Sequence, residues 1–369
     1  MPRQSFSVGK IFGISVGVDL SWFLVMAMLT WTFAVGYYPA EFRNWPAAEY
    51  WIVGGVTAIL LFGCVLLHEL GHSFMALHFN IPVKGITLFI FGGISQIGEE
   101  PESASSAFWI TIAGPAVSLG LAGVFGLLAQ VVTGVTPLLA LLKYLAYANA
   151  LLGIFNLIPG FPLDGGGVLM AIAWGITHNR HRSILIAANV GRVVAYLLIL
   201  LGVYQMMTGS LFNGLWTAFI GWFLLDASGG QVQHEKIKTL LAGHKASEAM
   251  NRSYTAIQAD TTLQFLIDHH ILGGSRRSFI VEDVGQVVGM LTLHQISEIP
   301  REKWPETTVF QAMLPLDRLK QINPDTGLWD AIEEMDQDGV NQLPVMSDGR
   351  IEGMLTREDI ISFIRRLQP

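Results

Sequence analysis

Residues 51–72 read WIVGGVTAILLFGCVLLHELGH, an apolar run that ends in two histidines and a glutamate. The run carries no charge before Glu69, and its length matches the roughly 20 residues of a membrane-spanning helix. On a helix, residues i and i+4 share one face, so His68 and His72 can bind one zinc ion while Glu69 lies beside its open coordination position. Such side chains are costly at the end of a span, which favours a functional site over a polar helix end at the interface.

The distribution of charge divides the chain into two parts. Residues 1–230 contain 8 of the 22 Lys and Arg residues and 9 of the 29 Asp and Glu residues, and residues 231–369 contain the rest. The first part therefore has the composition of a membrane domain, and the second part that of a soluble domain. Neither part has a basic stripe, so no nucleic acid is expected as a partner. The single cysteine, Cys64, excludes a disulfide framework within the chain.

Six transmembrane helices are predicted from the uncharged runs of the first part. Turns divide two of these runs, at residues 133–137 and 208–214. The spans come from residues 20–40, 51–67, 103–142 (whose second half continues past Lys143 through residues 144–163 as one span) and 193–225. Six spans place both termini on one side of the lipid bilayer. By the positive-inside rule that side is cytoplasmic, because its loops contain most of the basic residues and the opposite loops contain only Arg43. The basic residues on the cytoplasmic side are Arg3, Lys10, Lys84, Arg180, Arg182, Lys236 and Lys238.

Residues 83–97, between the second and third spans, have the pattern of a short β hairpin. Residues 86–91 (ITLFIF) are rich in β-forming side chains, and Gly92 and Gly93 interrupt this run before residues 94–97 (ISQI). Backbone that is not helical at membrane depth must be buried in protein or line water. The unpaired edge of such a hairpin can accept an extended peptide as an added strand.

A second chemical signal is the stretch NLIPGFPLDGG, residues 156–166. Asp164 is the only carboxylate within residues 103–225, which are otherwise assigned to the membrane. Pro159 and Pro162 must break the helix, and the glycines that follow Asp164 allow a close turn. A carboxylate presented by a broken helix is a good third metal ligand, because two histidines alone do not complete a zinc site. The alternative is that Asp164 only caps the next helix.

The second part of the chain contains an internal repeat. Residues 245–250 (KASEAM) and 308–313 (TVFQAM) each open a unit that continues with an apolar strand, a helix and two paired strands. Two β-α-β-β-α units packed together bury a core that one unit alone could not supply. The repeat resembles a tandem pair of CBS domains over residues 245–367.

The CBS resemblance implies adenine nucleotide sites. In that family a Gly-x-x-Thr-x-x-Asp pattern contacts the ribose and the phosphates of the nucleotide. The second copy has this pattern as Gly353, Thr356 and Asp359. The first copy has Thr292, but Gln295 stands where the pattern has Asp. One of the two expected nucleotide pockets therefore lacks the carboxylate of the pattern.

The two membrane motifs together resemble the site-2 protease family, intramembrane zinc metalloproteases that cut the transmembrane helices of their substrates. The family pattern is His-Glu-x-x-His on one span and Asn-x-x-Pro-x-x-x-Leu-Asp-Gly on a later one, and both stand here in full and in that order. A glycine-rich strand between them is typical of the family and is matched by Phe91, Gly92 and Gly93. The resemblance covers residues 17–230, and Gly167 departs from it because many members have Arg there.

This resemblance implies a zinc metalloendopeptidase of regulated intramembrane proteolysis with one Zn²⁺ per chain. His68, His72 and Asp164 would hold the zinc ion together with a water molecule, and Glu69 would be the general base. Asn156 would position the substrate or the oxyanion, or alternatively cap the broken helix, while Phe91, Gly92 and Gly93 would contact the substrate. The expected substrate is a single-span membrane protein of the anti-sigma factor or membrane-tethered transcription factor type, in the inner (plasma) membrane.

The predicted fold is therefore a polytopic α-helical membrane protein with six transmembrane helices and a short membrane-associated β hairpin, joined to a cytosolic α/β tandem CBS pair. The predicted boundaries are residues 1–230 for the membrane domain, 231–244 for a linker, and 245–300 and 308–367 for the CBS domains. Nucleotide binding or homodimer formation by the CBS pair is expected to regulate the membrane site.

A membrane transporter or channel for metal ions, regulated by CBS domains, is the main alternative. That class of protein accounts for the broken helix and for Asp164. It does not account for Glu69 between two metal-spaced histidines, because a transport site needs no general base. A catalytically inactive, metal-sensing scaffold is a third possibility.

Overall fold

The protein is described here by a computed structural model that covers residues 5–90, 92–132, 134, 136–271, 278–347 and 350–367. The chain forms two compact units, Met1–Glu235 and Lys236–Pro369. The predicted boundaries of the membrane domain, the linker and the two CBS domains stay predictions.

Long apolar helices make up most of the first unit. Helix is the expected form for these runs, because lipid offers no partner to a free backbone N–H or C=O group. The helices in chain order are α1 (Leu20–Trp31), α2 (Tyr38–Glu41), α3 (Ala47–His78), α4 (Ala104–Val131), α5 (Thr136–Asn156), α6 (Asp164–Thr177), α7 (Arg180–Met207) and α8 (Leu211–Leu241). A π-helical segment, Thr32–Tyr37, joins α1 to α2 without a break.

Five helical segments in the described residues are long and apolar enough to cross a membrane, against the six spans predicted. They are Leu20–Glu41, Ala47–His78, Ala104–Val131, Thr136–Asn156 and Arg180–Met207. The sixth predicted span falls on α8, which contains no equally apolar window because Asn213 and Asp226 interrupt its apolar half. The predicted fourth span is broken after Asn156, and its continuation α6 has 14 residues, too few to cross alone.

A four-stranded sheet lies against α3. Its strands are β1 (Ser5–Ile11), β2 (Ile14–Asp19), β3 (Val83–Phe89) and β4 (Gly92–Ile97), in the spatial order β1-β2-β3-β4. Only the β2–β3 pair is parallel. The predicted hairpin is present as β3–β4, but Gly92 and Gly93 lie inside β4 rather than between the strands. Strands β1 and β2 are additional to the prediction, and β4 forms one edge of the sheet.

Helix α4 packs against α3, α5 and α6, and small residues allow a close approach. A Cβ atom on Gly71 of α3 would lie 3.0 Å from the carbonyl oxygen of Ala113 on α4. Ser103 caps the start of α4, since its hydroxyl accepts a hydrogen bond from the N–H of Ser106. This close contact of α3 with α4 brings the histidine face of α3 against the middle of α4.

The second unit contains two copies of the predicted β-α-β-β-α order. The first copy comprises α9 (Ala246–Ala249), β5 (Ala256–Gln258), α10 (Leu263–Leu266), β6 (Ser278–Asp283), β7 (Gln286–Thr292) and α11 (Leu293–Ser297). The second comprises α12 (Val309–Ala312), β8 (Leu314–Pro315), α13 (Leu328–Gln337), β9 (Gln342–Ser347), β10 (Arg350–Thr356) and α14 (Arg357–Leu367). Strand β8 pairs with β7 of the first copy, and at the place of β5 the second copy has a single parallel bridge from Ile322 to Val345.

The two copies exchange short segments. Leu314 of the second copy pairs with Met290 on β7 of the first copy. In the same way, Asn251 of the first copy pairs with Met354 on β10 of the second copy. Gly289 and Gly353 make this possible, because a Cβ atom on either would lie within 3.0 Å of the exchanged backbone. The exchange holds the two copies together as one unit with a shared cleft.

Candidate active site

Helix α3 carries both histidines of the His-Glu-x-x-His motif on one buried face. The side chains of His68 and His72 are almost fully buried, with residue exposures of 4% and 8%. Their Nε2 atoms lie 3.3 Å apart. The spacing of four residues therefore brings the two imidazoles to one point, as the sequence predicts.

Asp164, the first residue of α6, completes a group of three potential metal ligands. Its Oδ2 atom lies 3.1 Å from His68 Nε2 and 3.4 Å from His72 Nε2. Within the described residues, these three side chains form the one group of His, Cys, Asp or Glu side chains close enough together to hold a metal ion. The structure thus joins residues that are 96 positions apart in the sequence.

The spacing of the three donor atoms fits a tetrahedral zinc ion. Ligand atoms at about 2.0–2.1 Å from such an ion lie about 3.3 Å from one another. The three donor distances of 3.1, 3.3 and 3.4 Å agree with that value. Two imidazoles and one carboxylate leave the fourth position open, which is the donor set of a catalytic rather than a structural zinc site.

Hydrogen bonds on the far side of each imidazole fix the ring orientation. His72 Nδ1 lies 2.7 Å from the carbonyl oxygen of Ile110, which can only accept, so the Nδ1–H donates and Nε2 is left free to bind a metal. His68 Nδ1 lies 2.9 Å from the hydroxyl of Ser118, a fully buried residue of α4. Both partners belong to α4, which therefore orients the two histidines of α3.

Gly114 on α4 leaves the space that the histidine rings need. A Cβ atom at this position would lie 2.2 Å from His72 Nε2 and 2.7 Å from His68 Nε2. Any other residue would therefore collide with the ligating atoms. Gly114, Ser118 and Ile110 are not predicted as site residues from the sequence, since none of them belongs to either motif; the Pro115 that follows Gly114 is the only local signal.

Residues 157–163, between α5 and α6, place Asp164. Glycines at the start of α6 let this segment fold onto the helix, because a Cβ atom on Gly165 would lie 2.3 Å from the carbonyl oxygen of Ile158. The segment is also held by α7 and α8: Phe161 N–H donates to Ala187, and the Ser228 hydroxyl donates to the Phe161 carbonyl. The break in the helix is therefore a packed structure on which the position of Asp164 depends.

The close packing of α6 against α4 accounts for the glycine at position 167, where many family members have arginine. A Cβ atom there would lie 2.5 Å from Thr111 Cγ2 on α4. Helix α6 therefore approaches α4 more closely than any side chain at position 167 would permit.

Glu69 lies beside this group and contacts strand β4. A Cβ atom on Gly93 would lie 2.5 Å from Glu69 Cγ, so the glutamate side chain crosses the strand where the glycine leaves room. The hydroxyl of Ser95 lies 3.0 Å from Glu69 Oε2 and 3.2 Å from the Glu69 carbonyl oxygen. Ser95 was not predicted, although its place two residues after Gly93 puts it on the same face of the strand.

The remaining predicted membrane-site residues have less defined roles. Asn156 is the last residue of α5 and is half-buried, and in the described structure its side chain has no hydrogen-bond partner. Gly92 has a φ of 129°, which suits glycine. Phe91 lies outside the described residues.

The second unit holds a cleft with a volume of about 1140 Å³ lined by both copies. Thr292, Thr356 and Asp359 line it, as does Gln295, whereas Gly353 packs against Asn251 and is not part of the lining. Asp359 Oδ2 accepts from the Thr356 N–H at 3.0 Å and from its hydroxyl at 2.6 Å. Gln295 Oε1 accepts the same two bonds from Thr292, at 2.7 and 2.8 Å.

Comparison with known proteins identifies both parts. The sequence profile of Peptidase family M50 matches residues 56–138 and 133–201, and that of the CBS domain matches residues 305–366. The putative zinc metalloprotease sll0528 of Synechocystis is 34% identical over 366 residues, which cover 98% of this chain and 96% of that protein. The putative zinc metalloprotease Rip3 of Mycobacterium tuberculosis is 33% identical over 367 residues, covering 98% and 93%.

Solved structures include a similar protein, the site-2 protease from Methanocaldococcus jannaschii. It is 28% identical, the match covers 62% of this chain and 95% of that chain, and the TM-score is 0.43.

The fold, the site and the relatives define a class, the zinc metalloproteases that work within membranes. Within this class, the chain belongs to the site-2 protease family, Peptidase family M50. It is a membrane enzyme of the metalloendopeptidase type that carries a CBS domain at its C-terminal end. The family resemblance inferred from the two motifs is confirmed.

Proposed function

We propose that this protease hydrolyses a peptide bond within or near the transmembrane segment of a single-span, membrane-tethered regulator, such as an anti-sigma factor or a tethered transcription factor. The enzyme works in the inner (plasma) membrane, with both termini and the CBS domains in the cytoplasm. The family's action on membrane-bound substrates supports the substrate class, and the positive-inside rule supports the orientation.

His68, His72 and Asp164 would bind the zinc ion, and Glu69 would be the general base. The observation that carries this assignment is the set of donor distances, 3.1, 3.3 and 3.4 Å, which match a tetrahedral zinc site with one open position. When bound, zinc supplies Lewis-acid activation of the attacking water and polarisation of the peptide carbonyl.

The chain's own residues would then handle the proton and hold the substrate. Glu69 Oε2 is held by Ser95, so Oε1 is the atom that takes the proton of the attacking water. The same carboxyl group then delivers this proton to the leaving amide nitrogen. The half-buried Asn156, at the end of α5, would hold the substrate or the oxyanion.

A transmembrane helix offers no free carbonyl to attack, because its backbone hydrogen bonds are satisfied internally. The substrate must therefore unwind locally, and β4 would hold the unwound segment as an added strand. In the described part of the chain, no strand pairs with the outer side of β4. Gly92 and Gly93 would form the start of this docking strand, and Phe91, which precedes them in the sequence, stays an expected substrate contact.

The decisive experiment compares wild-type protein with Glu69→Gln in reconstituted vesicles. The variant should keep its zinc and lose cleavage, since the three donor atoms are unchanged and the base is removed. Glu99→Gln, at a glutamate outside the site, is the matched control and should behave as wild type. Cleavage that persists in a zinc-loaded Glu69→Gln protein would refute the assignment, and ion flux without cleavage would favour a transporter.

The substrate can be found with the same pair of proteins. Membrane proteomes of cells that express wild type or Glu69→Gln should differ in the fragments of one or a few single-span proteins. Identical proteomes would argue against a membrane-tethered regulator as substrate.

The docking role of β4 has its own test. Ile94→Pro distorts the edge strand and should reduce cleavage while zinc binding remains, because proline is not compatible with a regular strand that must pair on both sides. Val8→Pro in β1, at the opposite edge of the sheet, controls for a general effect of proline on the sheet. Equal cleavage by wild type and Ile94→Pro would contradict strand addition.

The CBS pair would regulate the enzyme by binding an adenine nucleotide or by forming a homodimer. The cleft between the two copies is large enough for a nucleotide, and Asp359 offers it a carboxylate. Thermal stability of the full-length protein with ATP, ADP and AMP tests this, with Asp359→Asn as the variant that keeps the hydrogen bonds to Thr356 and removes the charge. No shift with any nucleotide, and no change in oligomeric state, would count against regulation by this route.

A further inference from the structure

Strand β4 contacts the general base with one face while its outer edge is unpaired in the described part of the chain. Gly93 and Ser95 are two residues apart, so both face α3. The Glu69 side chain fills the space beside Gly93, where a Cβ atom would lie 2.5 Å from its Cγ and 3.1 Å from its Cδ. Ser95 then reaches the carboxylate itself, with its Oγ 3.0 Å from Oε2.

The Ser95 hydroxyl also lies within hydrogen-bond distance of a second serine, Ser73. Ser95 Oγ lies near two acceptors of Glu69, the carbonyl oxygen at 3.2 Å and Oε2 at 3.0 Å, but a hydroxyl has one proton to donate. Ser73, which is fully buried one turn after Glu69, lies 3.1 Å from Ser95 Oγ. When Ser73 donates to Ser95, the proton of Ser95 is directed to the charged Oε2, which is the stronger acceptor.

This contact matters because a glutamate side chain is flexible. Glu69 is only partly buried, and in the described structure Ser95 is the one side chain that donates to its carboxylate. A bond to Oε2 restricts rotation of the carboxylate, while Oε1 lies beside Gly93, 3.3 Å from the position that a Cβ atom on that residue would take. Without it, Glu69 would sample orientations in which neither oxygen reaches the attacking water.

We propose that Ser95 is the positioning residue for Glu69, and that β4 therefore aligns the general base and the substrate backbone with one structural element. The substrate residue that pairs opposite Gly93–Ser95 would be the one whose carbonyl faces Glu69, so the register of strand pairing sets the cleaved bond. This inference rests on the proposed function of Glu69 and of the β4 edge.

Three variants of the full-length protein in vesicles test the role of Ser95. Ser95→Ala removes the hydroxyl, and Ser95→Thr keeps it. Ser7→Ala makes the same chemical change on an exposed residue of β1, at the other edge of the sheet. The probe is a single-span protein, tagged at both ends, that wild type cuts and Glu69→Gln leaves intact.

Ser95→Ala should lower kcat about 10- to 100-fold, the size expected when a reacting group is misplaced by about 1 Å. Its KM and its zinc content per chain should equal those of wild type, because neither the β4 backbone nor the three donor atoms change. Ser95→Thr should recover most of the lost activity, and Ser7→Ala should match wild type.

A measurement that needs no turnover gives a second readout. A leucine-containing peptide hydroxamate binds a zinc site and transfers a proton to the general base, so its affinity reports the orientation of Glu69. Ser95→Ala should weaken its binding by a factor similar to the loss in kcat, and Ser95→Thr should not.

Wild-type kcat in Ser95→Ala, loss of zinc from that variant, or failure of Ser95→Thr to recover activity would each overturn the positioning role. A Glu69→Gln protein that is as active as wild type would instead overturn the proposed function, so the two failures are distinguishable.

Discussion

Gly114→Ala is the smallest change that tests the metal site without touching a predicted ligand. The added Cβ atom would lie 2.2 Å from His72 Nε2, 2.6 Å from His72 Cε1 and 2.7 Å from His68 Nε2. These contacts involve both imidazoles, and the rings are held from behind by Ile110 and Ser118. Neither ring can therefore turn away without losing its hydrogen bond.

The expected effect on zinc binding follows from the size of this overlap. Relief of the contact requires a shift of about 1 Å, whereas zinc ligands tolerate deviations of about 0.2 Å. Loss of an outer hydrogen bond alone typically costs about 10- to 100-fold in metal affinity, so displacement of the ligands themselves should cost about 100-fold or more. That factor corresponds to about 2.8 kcal/mol of binding free energy.

The same substitution elsewhere on α4 is the control. A Cβ atom on Gly120 or Gly123 would meet no atom within 4 Å, so Gly120→Ala and Gly123→Ala should bind zinc as wild type does. Alanine also favours helix over glycine, so a weaker α4 cannot explain a loss. Zinc affinity is measured by competition with a chelator on purified protein. A Gly114→Ala protein with wild-type zinc affinity would refute the geometry derived for the site.

Three further outcomes are expected. Ser118→Ala should weaken zinc binding about 10- to 100-fold in the same competition, because His68 loses its partner at Nδ1; unchanged affinity would mean that α4 does not orient this ring. Chelation of zinc should abolish cleavage and lower the melting temperature, because zinc at about 1,000 times its dissociation constant adds up to about 4 kcal/mol of stability, and re-addition of zinc should restore both. Leu328→Ala, at a fully buried position in the second unit, should destabilise that unit by about 2–5 kcal/mol in denaturant unfolding, and a cost below about 1 kcal/mol would contradict its burial.

The ligands of the candidate site were predictable because membrane composition makes polar residues rare. His68 and His72 follow from spacing on one helix, and Asp164 follows from being the only carboxylate in a long apolar stretch. The structure brings these three together at distances that suit zinc. Helix periodicity and the cost of burying charge depend on local sequence, so both can be identified without knowledge of the tertiary structure.

The groups that orient these ligands were not predictable in the same way. Ser118 and Gly114 belong to a different helix, and only its packing against α3 brings them to the histidine rings. A serine or a glycine in an apolar helix is common, so neither residue type indicates a role by itself. Ser95 could have been suspected once β4 was placed beside Glu69, but its contact depends on the register of the sheet.

Two features of the architecture were less predictable. The sixth predicted span corresponds to α8, which has 31 residues but contains no window as apolar as those of the five other candidate spans. Strands β1 and β2 were not predicted, because their short alternating segments precede the long apolar runs that indicate membrane helices. The alternation was present: Ile14, Val16 and Val18 are all buried, as one face of a strand requires.

The donor atoms of α3 and α6 also limit what can enter the centre of the bundle. Nε2 of both histidines lies within 3.4 Å of Asp164 Oδ2, whereas an intact helix with its side chains is about 10–12 Å across. While all three donors remain in reach of one ion, α3 and α6 cannot separate at the site itself far enough to admit a helix of that diameter. An added strand would lie only about 4.8 Å from its neighbour, and the proposed docking strand β4 contacts Glu69. The width of the entrance would thus act as a filter: a segment that resists unwinding is spared, whatever its sequence.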